Sequence, residues 1–282
     1  MVQVSGGRLH IFLPKPLKMC EYENRYSHSV QRKVMKMNKT IEVMKNHRSI
    51  RSYLDKEVPD AIIDELVAVA QAAPNSINGQ QTSLVIVRDK QKKKQIAEIA
   101  GGQHWIAQAP LFILVVADFY KSKLAAEKVG KPLVIPESVE ATIAVSIDAG
   151  ICLQSIITAA ESLDLGIVPI GGIRNNPAAI ISLLNLPEYT FPLNGLTVGY
   201  PADRSHKKPR MPVAAFRHDE IYETTKLPKL IDEYDVLMQP YLKSVGRENE
   251  VNWSNQTMNF YSFVYFPTVY PTMKLQGFKN DK

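Results

Sequence analysis

"ESVEATIAVSIDAGICLQSIITAAESLDLG", residues 137–166, runs thirty residues without a proline and is apolar on almost every side. Two structures suit such a segment, a membrane span and a buried helix of a folded domain. Between Glu140 and Glu161 it carries Asp148, Gln154 and the hydroxyls of Thr142, Ser146 and Ser155. An aspartate near the centre of a span costs about 2.5–3.5 kcal/mol. The segment therefore reads as a helix buried on nearly all sides, through a domain core or a dimer interface, and closed by Gly166 at its C′ position.

Strand signals flank this helix. Downstream, "IVPIGGI" (167–173) is a strand running into a glycine pair, "NPAAIISLLNL" (176–186) a helix, and "PLNGLTVGYP" (192–201) a further strand. Upstream, "SLVIVRD" (83–89) and the wholly apolar "LFILVVAD" (111–118) are strands, with the helix "KQKKKQIAEIA" (90–100) between them. "PDAIIDELVAVAQAA" (59–73) is an amphipathic helix with apolar face Ile62, Ile63, Leu66, Val69 and Ala70. Another helix spans about 229–243, before a polar stretch and an aromatic tail. Strands separated by helices predict a layered α/β or α+β domain.

The chain has 282 residues and a formal charge of +6. Residues 1–36 hold seven basic residues (Arg8, Lys15, Lys18, Arg25, Arg32, Lys33, Lys36) against Glu21 and Glu23, so five of the six charges lie there. A nearly neutral body does not suit a nucleic-acid partner. Residues 1–36 read as a poorly ordered leader, and "MNKTIEVMKNHRSIRSY" starts a helical pattern so abruptly that Met35 or Met37 is the expected natural start. Cys20 and Cys152 have no metal spacing and make no disulfide framework, and Cys152 falls in an apolar helical pattern as a buried thiol. "IFLPKPL" is too short and proline-broken for a secretory signal. The chain is expected in the cytoplasm.

Four clusters carry chemistry. His47, Arg48, Ser49 and Arg51 put two guanidiniums, an imidazole and a hydroxyl within one turn, which is either a solvated basic turn or an anion site. "APNSINGQQTS" (73–83) is a plain loop or one whose short polar side chains and free amides hold a ligand edge. "GGIRNNP" (171–177) places glycines after a strand, where they permit positive φ and close backbone approach. In "KKPRMP" (207–212), Pro209 holds Lys208 and Arg210 extended on one side, as a binding pair or as solvated charge. No Walker motif, strand-borne G-x-G-x-x-G, metal-ligand spacing or G-x-S-x-G elbow is present. The chemistry therefore points to an organic phosphorylated cofactor rather than to a metal or a protein nucleophile, and no catalytic residue is assigned.

"HRSIRSY", "APNSINGQ", "AGGQHW", "AAESLDLGIVPIGGIRNNP", "FPLNGLTVGYPAD" and "KKPRMP" follow one another in an order that resembles the nitroreductase family. The likeness is to its NADPH-dependent flavin oxidoreductases and oxygen-insensitive NADPH nitroreductases. It covers residues 37–222 and continues weakly through "NWSNQ" (252–256) to "LQGF" (275–278). The resemblance implies an α+β, three-layer fold whose central, mostly antiparallel sheet is flanked by helices. It also implies an obligate homodimer with a long buried interface helix, and FMN bound between the subunits. The expected organisation is a leader (1–36), an FMN-binding core (37–222) and a C-terminal helical and aromatic extension (223–282).

Residue by residue, the resemblance assigns His47, Arg48 and Ser49 to the FMN phosphate and Arg51 to the pyrimidine edge of the flavin. Asn75, Ser76 and Asn78 would reach the flavin from the partner subunit. Gln103 would bond the flavin or ribityl chain. Pro169, Ile170, Gly171 and Gly172 would line the ring, with a glycine amide near N5, and Lys208 and Arg210 would close on the phosphate. A phosphate monoester suits guanidiniums, an ammonium and a hydroxyl, and a guanidinium at N1–O2 favours the reduced flavin.

The implied activity is ping-pong transfer of hydride from NADPH or NADH to FMN, and on to nitroaromatic, quinone or flavin acceptors. A flavin reductase serving a partner and a flavin-binding protein without turnover are the alternatives. "LKSVGRENEVNW" (242–253) holds only Lys243 and Arg247, beside Glu248 and Glu250, where NADPH-specific relatives are arginine-rich. Phe266 stands before Pro267 where an arginine is expected, and "NFYSFVYFPTVYP" (259–271) reads as irregular. NADH or mixed use is therefore open.

Overall fold

The computed structural model describes residues 38–282; the leader expected at 1–36 lies outside them. Eight residues of alternating side-chain direction explain the centre of the molecule. β2 (Leu111–Asp118) is buried along its whole length. Leu111 and Ile113 face one core, with Ile63, Leu66 and Ala70 of α2 (Asp60–Gln71) and Cys152, Ile156 and Ala160 of α6 (Val139–Ser162). Phe112, Leu114 and Val116 face the other, with Ile96 of α3 (Lys90–Ile99), Ile106 of α4 (His104–Gln108) and Ile180 of α7 (Pro177–Leu183). A strand buried on both faces needs no polar alternation, so its sequence is an unbroken apolar run.

β1 (Thr82–Val87), β3 (Gly166–Ile170) and β4 (Thr190–Gly199) complete a four-stranded sheet ordered β1-β2-β4-β3, with every pairing antiparallel. The layers are helix, sheet, helix. At the β3 edge the segment from Ser49 continues the sheet. Ser49 bridges Ile167 in parallel, Ile50 N–H donates to Ile167 O at 2.9 Å, and Leu54 N–H donates to Tyr200 O at 2.9 Å. α1 (Lys39–Lys45) precedes this segment and is capped by Asn38, whose side chain accepts from Ile41 N–H at 3.0 Å.

α6 departs from its sequence reading in two ways. Its sheet side is buried, but Val139, Ile143, Ile147 and Ile151 form an exposed i, i+4 stripe, with Ile147 57% exposed. One chain has too little surface to cover both sides of a helix laid across its sheet. The helix also ends at Ser162, and Asp164, not Gly166, takes the positive φ of 59°. Gly166 instead opens β3, where an added Cβ would lie 2.7 Å from Ile50 Cγ2. The glycine permits the His47–Arg51 segment to pack against the strand. α6 is long and apolar enough to cross a membrane by length and composition alone, and it packs here as the core helix of the layered domain.

The remaining chain forms α5 (Tyr120–Val129), α8 (Val213–Phe216), α9 (Leu227–Ser244), α10 (Trp253–Tyr261) and α11 (Val269–Leu275). The aromatic tail is thus more ordered than its composition suggests, since α10 and α11 enter it from both ends. Residues 262–268 alone are irregular. Pro271 sits in the first turn of α11, where its missing N–H costs no helical bond.

Candidate functional site

Three distant stretches converge at the β3 end of the sheet. The Ser49–Leu54 segment runs beside residues 200–202, with Ala202 N–H donating to Ser52 O at 3.0 Å, and this pairing brings Arg51 toward the loop that follows. Partial desolvation, joined by the fields of Arg247, Arg51 and Arg210, holds the Lys208 ammonium below the usual lysine range. Glu250 is the one acid acting against this crowd, and it is already engaged by Arg247 through Nε and Nη2. The hydrogen bonds of that pair raise the arginine's pKa and lower the carboxylate's. Arg210 donates to Lys208 O at 3.1 Å, and Tyr234 O–H holds Pro209 O at 3.0 Å, which fixes the extended turn. Net positive charge is thus concentrated beside a strand end, an arrangement that suits a dianionic phosphate.

Arg51 lies over the Trp105 ring, 5.5 Å from its centroid, so its fork is oriented by stacking rather than by an acid. Gln103 donates from Nε2 to Ala100 O at 2.9 Å. Gly171 and Gly172 begin a 3₁₀ turn (Gly171–Asn175) without positive φ, contrary to the sequence reading. What Gly172 requires is closeness, because an added Cβ would stand 2.4 Å from Gln103 Nε2 and 2.7 Å from Ala100 O. Pro169 is half-buried, while the Ile170 side chain lies in the core, so Ile170 offers a ligand only its backbone. Arg174, not foreseen from the sequence, donates to Leu193 O and lies 5.5 Å from the Phe266 ring centroid. That contact seats the aromatic tail on the glycine turn.

His47 Nδ1 stands 2.8 Å from Glu161 Oε1 near the end of α6, and Arg48 lines a cleft of about 290 Å³ with Glu161, Asp164 and Arg204. Glu161 was legible only as part of a motif; its partner is 114 residues away. Asn75, Ser76 and Asn78 do not join this group. They precede β1, the opposite edge of the sheet, and Ser76 N–H is held by Asp148 at 3.1 Å. Asp148 and Glu161 are thirteen residues apart, about 20 Å along α6. Ile77, Asn78 and Gln80 all have positive φ, and Ile77 is 95% exposed.

Asp148 is the anchor of that strained loop. It is buried and accepts from Ser76 N–H and, at 2.9 Å, from Gln81 Nε2. Asp148→Ala leaves both donors unpaired, and urea unfolding is expected to show a loss of about 2–3 kcal/mol. Cys152 lines the cavity beneath the loop; burial pushes its thiol up to about 11, which makes it inert. Among the described residues no group of three His, Cys, Asp or Glu could hold a metal ion.

Family models match the chain over residues 44–200 (Nitroreductase family) and 208–281 (Nitroreductase family, C-terminal domain), and the chain belongs to the nitroreductase family. It is 45% identical over 250 residues to the FMN reductase [NAD(P)H] of Bacillus subtilis, covering 87% of this chain and 100% of the relative. The FMN reductase (NADPH) of the same organism is 38% identical over 228 residues, with 79% and 92% covered. Among solved structures, NfrA2 of B. megaterium superposes with a TM-score of 0.85 at 46% identity, covering 87% of this chain and 100% of that one.

Proposed function

We infer that the chain is an FMN-dependent NAD(P)H oxidoreductase. The observation that carries this reading is the convergence of Arg51, Lys208 and Arg210, with Arg51 stacked on Trp105 two residues from Gln103, which packs against Gly172, in a member of the nitroreductase family. The donor set fits FMN: Lys208 and Arg210, with His47, Arg48 and Ser49, would hold the phosphate. Arg51, oriented by Trp105, would meet the pyrimidine edge. Gln103, Pro169, the Ile170 backbone and the two glycines would border the ring. When bound, FMN supplies the two-electron chemistry that takes hydride from a reduced nicotinamide and delivers it to a planar acceptor. The residues of the chain bind, orient and set the local charge; none is needed as a protein acid or base.

The working unit is a cytoplasmic homodimer. Asn75, Ser76 and Asn78 stand at the far sheet edge from Arg51, so their contribution to one flavin requires a second copy. Pairing about a two-fold axis along the Val139–Ile151 stripe would bury that stripe and complete the site. Acceptors are nitroaromatics, quinones and free flavin, the last favoured by the names of both Bacillus subtilis relatives.

Stopped-flow mixing of the FMN-loaded protein with NADPH and with NADH tests the activity. Rapid bleaching of the flavin absorbance is expected with both. Failure with both would replace this reading by a flavin-binding protein without turnover. Arg247, engaged two-pronged by Glu250, is not free to select a 2′-phosphate. Glu250→Ala is therefore expected to raise kcat/KM for NADPH over NADH about tenfold, the worth of one charge-assisted bond.

A further inference from the structure

We propose that Glu161 is a positioning residue that holds His47 as a doubly donating imidazolium toward the cofactor phosphate, so that recognition of the phosphate depends on a proton at His47. The inference rests on the phosphate-site reading above. An ionised carboxylate only accepts hydrogen bonds, so at 2.8 Å Glu161 Oε1 fixes the proton of His47 on Nδ1. In the neutral ring this leaves Nε2 as a lone pair. A phosphate dianion also only accepts, and a lone pair facing it repels. Contact from Nε2 therefore requires the second proton.

A second observation supports the pairing. Glu161 Oε2 is buried and has no hydrogen-bond partner, and the Glu161 side chain is 14% exposed. A buried carboxylate without full hydrogen bonding is costly unless a cation faces it, and His47 is the basic group within ion-pair distance. Other charges surround the pair. Arg48 adjoins His47 in sequence, and Lys45 ends α1 two residues earlier. Lys39 and Glu42 of α1 line the adjoining cleft with Asp164 and Arg204, which pair with each other at 3.6 Å. Glu161 is the acid that touches the ring.

The test compares FMN with riboflavin, which lacks the phosphate, on the full chain stripped of flavin. Dissociation constants are read from flavin fluorescence above pH about 7, where the phosphate is already a dianion. The wild type is expected to prefer FMN. Glu161→Gln keeps an acceptor at Nδ1 but removes the charge. It is expected to cut the FMN-over-riboflavin ratio about tenfold. Riboflavin affinity and the melting temperature should stay near wild type. His47→Gln should lower the ratio as well. An unchanged ratio in Glu161→Gln would overturn the inference alone, as would equal loss of both ligands, which marks a merely structural role. A wild type that binds riboflavin as tightly as FMN would overturn the phosphate-site reading and this inference with it.

Discussion

Replacing Lys208 and Arg210 together by alanine is expected to weaken FMN binding by about two to four powers of ten. Each side chain would give the phosphate a charge-assisted hydrogen bond worth about 1.5–3 kcal/mol, and every 1.4 kcal/mol is about tenfold in affinity. The fold should tolerate the change. Both residues are exposed, and the turn is held through its backbone by Tyr234 O–H on Pro209 O. Lys208 also stands among Arg51, Arg210 and Arg247, so removing two of these charges relieves repulsion in the flavin-free protein. Equilibrium titration with FMN and riboflavin checks the result. Riboflavin should bind the variant as it binds the wild type, and equal losses for both ligands would remove these residues from the phosphate.

The second large effect comes from a single methyl group. Gly166→Ala would place Cβ at 2.7–2.8 Å from three carbons of Ile50, a residue only 4% exposed. Neither partner has room to retreat, because Ile50 N–H is bonded to Ile167 O and Gly166 starts the strand. Overpacking of this kind costs about 1–3 kcal/mol. Displacing Ile50 also moves His47, Arg48 and Arg51, so FMN affinity should fall with stability. The double variant Gly166→Ala/Ile50→Ala distinguishes this contact from a general defect. Ile50→Ala alone costs about 2–4 kcal/mol, and adding the glycine change should then cost less than it does in the wild type, because two of the three close carbons are gone and only Cβ at 2.8 Å remains, a non-additivity that denaturant unfolding reads directly. Full additivity would show that the two residues do not meet.

Much of this architecture was legible in the chain because its signals are local. An apolar run of strand length at 111–118 and the 3.6-residue pattern of 59–73 each declare themselves within a few residues. The ordered motifs likewise named the family before any coordinates, since six short stretches in one order are a one-dimensional property. Where the reading failed, a local rule met a distant neighbour. Gly166 resembles a helix cap because it follows an apolar helix, but its role is set by Ile50, which precedes it by more than a hundred residues. The glycine pair at 171–172 suggests positive φ, whereas Gly172 is required by Gln103 and Ala100.

The chain by itself determined the four strands and the main helices of the layered core, which residue types could meet a phosphate, and that Asp148 argues against a membrane span. Only the tertiary structure decided which charges stand together: Arg51 with Lys208 and Arg210, Arg247 with Glu250, and His47 with Glu161. It also decided that the sheet order separates Asn75–Asn78 from the remaining site residues and that one stripe of α6 stays exposed. Hydrophobic periodicity acts over one or two turns of chain and can be read along it. Charge and shape act through space, and which residues become neighbours is fixed by strand order and register.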